Sequence, residues 1–207
     1  MNRDIKYVVV NRRQIARRVG ALARQIAAAY DRQELSLLAA MTGSLIFLAD
    51  LIRRLPLRMR LNVVSISSYG SAMQSRGPRL LTPLPGDFAA KNVLIIDDIL
   101  DSGQTLELLL KKVRAMNPAS LRSCVLLEKN RPDLPHRVQA DFVGFHIPDN
   151  FVVGYGLDYD SLYRNLPDIC VLKPRCYGVP VQKTNPPSLT RRKTRAARPI
   201  RMGGSTS

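Results

Sequence analysis

The stretch VLIIDDILDSGQTLELLLKKV, residues 93–113, constrains the fold more than any other part of the chain. Four apolar residues lead directly into Asp97 and Asp98, which indicates a buried strand that ends in carboxylates. A turn of small polar residues follows, and then apolar residues recur with a helical period. Strand, turn and helix in this order predict a unit whose turn lies at the carboxyl end of a strand.

Similar units extend over much of the chain. Periodic apolar residues predict helices at 12–30, 44–55 and 105–116. Continuous apolar runs predict strands at 35–41, 61–67, 91–97 and 120–129, with shorter ones at 140–147 and 168–173. Glycines and prolines between residues 68 and 87 predict a long loop followed by a short strand pair.

The strands of this alternation are apolar throughout instead of apolar at every second residue. Such runs are typical of a parallel sheet that is covered by helices on both faces. The chain is therefore predicted to be an α/β protein. In such sheets, ligands bind beyond the carboxyl ends of the strands, which is where Asp97 and Asp98 are expected.

The turn after these aspartates has the composition of an anion site. Gly103 allows close backbone approach, and the N–H groups at a helix N-terminus favour a phosphate. Ordinary helix capping would also explain Asp, Ser and Thr here, but three aspartates in five residues favour function. The carboxylates suit ribose hydroxyls, a metal ion or a proton. The chain has neither a Walker phosphate loop nor a Gly-x-Gly-x-x-Gly motif after a strand.

The charge of the chain is concentrated near one end. Residues 175–207 contain eight Lys or Arg and no acid, which is half of the formal net charge of +16. Their prolines and weak apolar pattern predict a disordered tail. It is either a solvated tail or one that binds nucleic acid or another polyanion. The domain is predicted to end at residue 174.

Cysteines and apolar runs indicate the compartment. Three cysteines without metal-ligand spacing predict reduced thiols. The longest uncharged run, residues 35–49, is too short to span a bilayer, and the first residues do not form a signal peptide. A cytoplasmic protein without membrane contact is expected.

Two long motifs give the chain a family resemblance. VLIIDDILDSGQTL (93–106) resembles the phosphoribosyl-pyrophosphate signature of type I phosphoribosyltransferases, in the version of the hypoxanthine-guanine branch. DFVGFHIPDNFVVGYGLDY (141–159) resembles the purine-site segment of that branch. SSYG (67–70) and GSLIFLADLIRRLP (43–56) resemble its mobile loop and pyrophosphate-loop helix. The resemblance implies a mostly parallel sheet flanked by helices, a small hood region and a mobile loop.

The resemblance also implies an activity and a phosphoribosyl site. The expected reaction joins hypoxanthine, and also guanine, to the ribose of phosphoribosyl pyrophosphate, giving IMP or GMP and pyrophosphate. Asp101 would be the general base. The phosphoribosyl group would contact Asp97, Asp98, Ser102, Gly103, Gln104 and Thr105. Pyrophosphate would contact Thr42, Gly43, Ser68, Tyr69 and Arg164.

The purine and metal sites follow from the same resemblance. The purine would contact Lys129, Phe151, Val152 and Asp158. Lys129 would donate to the 6-oxo group, and Phe151 would stack on the base. Mg²⁺ would be held by Asp97, Asp98 and Asp158. A homodimer or homotetramer is implied.

One residue departs from the family pattern, and one rival function is kept. Thr42 stands where many members have a lysine before the loop glycine, so the pyrophosphate loop lacks an ammonium there. The rival is a regulator that binds RNA or DNA on the same fold, with a basic face and tail. Lys129, Phe151 and Asp158 together favour the enzyme, since a regulator needs no purine site.

Overall fold

The computed structural model describes residues 3–67, 77–131 and 137–177. The strands in these ranges are β1 (Ile5–Val10), β2 (Leu35–Met41), β3 (Met59–Ser67), β4 (Arg79–Leu80), β5 (Asn92–Leu100), β6 (Ser120–Asn130), β7 (Phe142–Pro148), β8 (Val152–Val153) and β9 (Ile169–Leu172). The helices are α1 (Arg12–Tyr30), α2 (Leu45–Ile52), α3 (Gln104–Arg114) and a 3-10 helix, Pro174–Tyr177.

Six of these strands form the main sheet, in the order β4-β3-β2-β5-β6-β7. Strands β3, β2, β5, β6 and β7 are parallel, and only β4 runs antiparallel to its neighbour β3. The predicted α/β class and the mostly parallel sheet are confirmed. Because the parallel strands share one direction, their carboxyl ends lie at one edge of the sheet.

Helix α1 has the bounds that its apolar period predicts. Asn11 caps it: the Asn11 side chain accepts from the N–H of Gln14 at 3.0 Å, while the Gln14 side chain accepts from the N–H of Asn11 at 2.9 Å. The helix ends at Asp31, whose left-handed backbone (φ 39°) stops the helical repeat. Its buried stripe is Ile15, Val19, Leu22, Ala23, Ile26 and Tyr30. Each large apolar side chain buried there contributes roughly 1.5–3 kcal/mol.

The sheet separates two apolar layers. Side chains of a strand alternate between its faces, so Leu94 and Ile96 of β5 pack with α1 and α2, whereas Val93 and Ile95 pack with α3. All four side chains are fully buried. Coverage on both faces explains why β5 reads as a continuous apolar run. The layers fix β5 firmly and leave its carboxyl end as the accessible part.

A second, smaller sheet forms the hood. Its strands lie in the order β1-β9-β8, and both pairings are antiparallel. The apolar pattern does not predict β1 or β8, because β8 has only two residues and β1 is apolar mainly at its end. The prediction of a short strand pair after the long loop is wrong. Only β4 forms among the described residues of that loop, and it pairs with β3.

The 3-10 helix extends the packed domain beyond residue 174. Cys176 and Tyr177 pack against the hood cluster of Ile5, Val153, Cys170 and Leu172. Arg175 Nη2 donates to the carbonyl of Arg3 at 2.8 Å. The predicted boundary at residue 174 therefore falls inside a packed element, and the packing continues through Tyr177.

Two further expectations concern thiols and membranes. The three cysteines are free, and burial raises the pKa of the Cys170 thiol to about 11. In the part of the chain that the structure describes, no helix has the length and apolarity needed to cross a bilayer.

Candidate active site

A cleft of about 1120 Å³ opens at the carboxyl edge of the main sheet. It brings together every predicted site residue within the described ranges: Thr42, Gly43, Asp97, Asp98, Asp101, Ser102, Gly103, Gln104, Thr105, Lys129, Phe151, Val152, Asp158 and Arg164. Ser68 and Tyr69, predicted for the pyrophosphate, lie outside the described residues, as does most of the expected mobile loop. The size suits a substrate that carries a base, a sugar and phosphates.

The turn between β5 and α3 forms one wall of this cleft. Gly103 caps α3 with a left-handed backbone (φ 80°), a conformation that glycine adopts without strain. A Cβ at this position would lie 3.3 Å from the backbone nitrogen of Arg137, which is a close contact. Among the described residues, no side chain caps this end of α3. Its N-terminal N–H groups therefore suit an anionic ligand.

The two aspartates at the end of β5 are held by their own backbone. Asp97 Oδ1 accepts from the N–H of Asp98 at 3.0 Å, and Asp98 Oδ1 accepts from the N–H of Ile99 at 2.9 Å. Burial raises the pKa of Asp97 well above its usual range, and the adjacent Asp98 raises it further. A buried carboxylate beside a half-buried one favours a cation between them or hydroxyl donors against them.

The loop after β2 packs directly on this carboxylate pair. The peptide bond between Met41 and Thr42 is cis. A Cβ on Gly43 would lie 1.7 Å from Asp98 Oδ2, so any larger residue would displace the carboxylate or the loop. On its other side, the carbonyl oxygen of Gly43 lies where a Cβ of Gly156 would come within 2.2 Å. Thr42 is exposed and presents no cation to the cleft.

Arg164 and Asp158 form an ion pair beside the loop after β2. Arg164 Nη2 lies 2.8 Å from Asp158 Oδ1, and Arg164 Nη1 donates to the carbonyl of Gly156 at 2.6 Å. The other oxygen of Asp158 accepts from the N–H of Ser161 at 2.8 Å. The arginine is thereby directed at the loop segment that packs on Gly43.

Asp101 belongs to a closed ring of four charged side chains. Lys129 Nζ lies 2.9 Å from Asp101 Oδ2 and 3.2 Å from Asp149 Oδ1. Arg131 Nη1 lies 2.5 Å from Asp101 Oδ1, and Arg131 Nε lies 3.2 Å from Asp149 Oδ2. The Lys129 side chain is only 10% exposed. We call these four residues the charge ring. Sequence reasoning selected Asp101 and Lys129 but not Arg131 or Asp149, although both flank predicted residues.

Aromatic rings form the remaining wall. The ring centroids of Phe151 and Tyr159 are 5.6 Å apart, and those of Phe151 and Tyr177 are also 5.6 Å apart. Both contacts are edge to face, the geometry that aromatic quadrupoles favour. Phe151 is still 41% exposed, so one face can receive a planar ligand. Val152 is buried beside it in β8.

Known proteins resemble this chain over most of its length. The family described as phosphoribosyl transferase domain matches residues 9–160. The hypoxanthine-guanine phosphoribosyltransferase of Mycobacterium avium is 44% identical over 181 residues, covering 84% of this chain and 89% of that enzyme. The Bacillus subtilis (strain 168) enzyme of the same name is 37% identical over 181 residues, covering 86% of this chain and 98% of that enzyme.

A solved structure with a similar fold comes from the same family. The hypoxanthine phosphoribosyltransferase of Trypanosoma cruzi, in complex with the product IMP, has a TM-score of 0.77 at 35% identity. The match covers 86% of this chain and 99% of that chain. The chain belongs to the phosphoribosyltransferase family, in its hypoxanthine-guanine branch. It is a transferase with the type I phosphoribosyltransferase fold, as the resemblance implied.

Proposed function

We propose that this enzyme salvages purines by transferring the 5-phosphoribosyl group of phosphoribosyl pyrophosphate to hypoxanthine, and also to guanine. The products are IMP or GMP and pyrophosphate. The proposal rests on the family, on relatives that are named for these bases, and on a cleft that joins an anion-binding turn to an aromatic wall.

The observation that carries the proposal is the pairing of Asp101 with Lys129. A carboxylate acceptor and an ammonium donor lie 2.9 Å apart in the cleft that Phe151 also lines. A 6-oxopurine carries an N7–H donor and an O6 acceptor side by side, so its edge complements this pair. Adenine carries an amine at C6, which would meet the ammonium badly. Phe151 would stack on the base, and Val152 would bind its edge through the backbone.

The chemistry assigned to Asp101 is proton removal. The purine N9 forms a bond to C1 of the ribose while the bond from C1 to the pyrophosphate oxygen breaks. The purine N7 proton passes to the Asp101 carboxylate, and pyrophosphate leaves with the electron pair of the broken bond. The negative carboxylate also stabilises positive charge that develops on the ribose.

The phosphoribosyl group would occupy the turn between β5 and α3. The 5′-phosphate would accept from the N–H groups and hydroxyls of Ser102, Gly103, Gln104 and Thr105. The ribose hydroxyls would donate to the adjacent carboxylates of Asp97 and Asp98. Because both the phosphate and the ribose would be held by β5 and the turn after it, C1 would be oriented toward the base.

The carboxylates of the cleft fit Mg²⁺. This ion is commonly held by one or two carboxylates together with waters and substrate phosphates. Asp97 and Asp98 supply two such carboxylates next to each other, and Asp158 supplies a third in the same cleft. Across residues 3–67, 77–131 and 137–177, no larger set of metal-ligating side chains comes together. The ion would offset the charge of pyrophosphate as it leaves.

Pyrophosphate would lie between the Thr42–Gly43 loop and Arg164. The loop offers backbone N–H groups, and Arg164 offers a guanidinium that suits phosphate oxygens. Ser68 and Tyr69 stay predictions for the same ligand. Because Thr42 replaces a lysine, Arg164 would carry more of the charge compensation in this enzyme.

The setting of the enzyme completes the proposal. We place it in the cytoplasm, where its thiols stay reduced and its substrates occur. We infer a homodimer or homotetramer, supported by Leu61 and Val63, which are each 49% exposed on one side of β3. Any nucleic acid that binds this protein would contact the basic tail.

The decisive experiment is an assay of the purified enzyme with phosphoribosyl pyrophosphate, Mg²⁺ and each of hypoxanthine, guanine, xanthine and adenine. Hypoxanthine and guanine should give nucleotide and pyrophosphate, whereas adenine should not. Gly103→Val is a matched negative control, since a side chain there obstructs the phosphate turn. An inactive wild-type protein that binds RNA or DNA tightly would instead support the regulatory function.

A further inference from the structure

The charge ring contains a residue whose role the proposed function leaves open. Arg131 reaches both carboxylates of the ring, with Nη1 at 2.5 Å from Asp101 and Nε at 3.2 Å from Asp149. Its side chain is 25% exposed, so it is less accessible than either carboxylate it binds. A guanidinium is a rigid, planar fork, which fixes two partners relative to each other.

Arg131 binds the oxygen of Asp101 that the lysine does not use. Lys129 donates to Oδ2, while Arg131 approaches Oδ1. With both oxygens engaged, rotation of the carboxylate about its side-chain bond would break a charged hydrogen bond. The plane of the Asp101 carboxylate is therefore fixed from two sides.

The second carboxylate gives the arrangement its rigidity. Asp149 binds the same two cations through separate oxygens, so opposite charges alternate around the ring. Asp149 follows β7, Asp101 follows β5, and both cations come from β6 or its end. The ring thus ties the carboxyl ends of three strands together at the place where the base would bind.

We infer that Arg131 is a positioning residue, which orients the Asp101 carboxylate toward the purine N7 and keeps the Asp101–Lys129 pair in register with the base edge. The inference rests on the proposed function. Arg131 acts through Asp101 and Asp149, and its guanidinium is already directed at these carboxylates. Misplacement of a reacting group by about 1 Å can lower a rate about 10²-fold. Loss of Arg131 should therefore affect catalysis more than substrate binding.

The test compares Arg131→Ala, Arg131→Lys and Arg137→Ala in the full chain. Arg137 is a matched control, because its exposed side chain pairs only loosely with Glu107, at 3.4 Å. Arg131→Ala should lower kcat with hypoxanthine by roughly 10- to 100-fold and leave the KM for phosphoribosyl pyrophosphate nearly unchanged. Arg131→Lys should recover part of the loss, since an ammonium can bind one carboxylate but cannot fork to both. Arg137→Ala should behave as wild type.

Each outcome separates this inference from the proposed function. If wild type is active and Arg131→Ala keeps kcat within about twofold or raises it, Arg131 does not position Asp101. A lower kcat together with a lower melting temperature, and no recovery of either in Arg131→Lys, would show that Arg131 has only a structural role. That result would overturn the inference. Wild-type inactivity toward all four bases would refute the proposed function itself.

Discussion

Gly43 lies so close to Asp98 that a single added carbon would overlap the carboxylate, at 1.7 Å from Oδ2. The backbone of the loop after β2 thus packs directly against the Asp98 side chain at the end of β5. Gly156 contacts the opposite side of the same loop, where its own Cβ would come within 2.2 Å of the Gly43 carbonyl. The proposed ribose and pyrophosphate sites therefore share one packed boundary.

Replacing Gly43 with alanine should displace Asp98 or the loop. We expect the KM for phosphoribosyl pyrophosphate to rise roughly tenfold or more, because two of its contact regions move together. Steady-state kinetics with varied phosphoribosyl pyrophosphate measures this. Gly20→Ala is the control: its Cβ would meet nothing nearer than 3.8 Å, and it should stabilise α1 by about 0.5–1 kcal/mol. Unchanged kinetics in Gly43→Ala would contradict the packing described here.

Asp101→Asn should lower turnover far more than binding. An amide cannot accept the N7 proton, and a general base typically contributes about 10²–10⁴-fold to the rate. Phosphoribosyl pyrophosphate should still bind, because its phosphate turn is unaltered. Stopped-flow or steady-state kinetics, with a separate binding measurement, distinguishes the two effects. A variant whose kcat stays within about twofold of wild type would remove Asp101 from the role of base.

Lys129→Ala should weaken the discrimination between hypoxanthine and adenine. The buried ammonium is the donor proposed for O6, and a site that hydrogen-bonds its substrate rejects bases that leave its groups unpaired. The ratio of kcat/KM for the two bases should fall by roughly tenfold or more. Lys91→Ala provides a control, since this lysine pairs with Asp87 on the surface. An unchanged ratio would mean that Lys129 does not bind O6.

Two truncations should behave differently. Removing residues 178–207 should leave turnover and melting temperature close to wild type, because their sequence has little apolar pattern with which to pack. Removing residues 175–207 should lower the melting temperature and raise the KM for hypoxanthine, since Tyr177 supports the ring of Phe151. Calorimetry and kinetics on both proteins test this. Equal behaviour of the two truncations would show that the 3-10 helix is dispensable.

The tail should matter for polyanions instead. Full-length protein should bind a labelled DNA duplex at low salt, and the affinity should fall steeply as salt rises, because phosphate contacts release counterions. Removal of residues 178–207 takes away seven cations and should weaken this binding strongly. Binding that persists in high salt, or that survives the truncation, would point to a specific nucleic-acid surface on the domain.

The sequence predicts what depends on local periodicity. Helix α1 follows from the spacing of Ile15, Val19, Leu22 and Ile26, and β5 follows from its apolar run. The end of β5 also predicts a ligand site, because ligands of parallel sheets bind at the carboxyl ends of the strands, where these carboxylates lie. For these features, neighbouring residues alone contain the necessary information.

Contacts between distant segments could not be predicted in the same way. Arg131 and Asp149 meet because two strands end side by side, and nothing in their own surroundings indicates an ion pair. The fit of Gly43 against Asp98 also depends on the order of the strands. The strand pair expected after residue 77 failed for a similar reason: β4 pairs with β3, which precedes the loop.

The pairing of β1 with β9 makes assembly of the hood a late event during synthesis. Ile5 of the first strand pairs with Leu172 of the last, so this contact waits until nearly the whole domain has left the ribosome. The parallel strands β2, β5 and β6, with the phosphate turn, are complete long before. A nascent chain can therefore form its phosphate turn early. The part of the hood that holds Phe151 and Val152 is complete only after β9 has paired with β1 and β8.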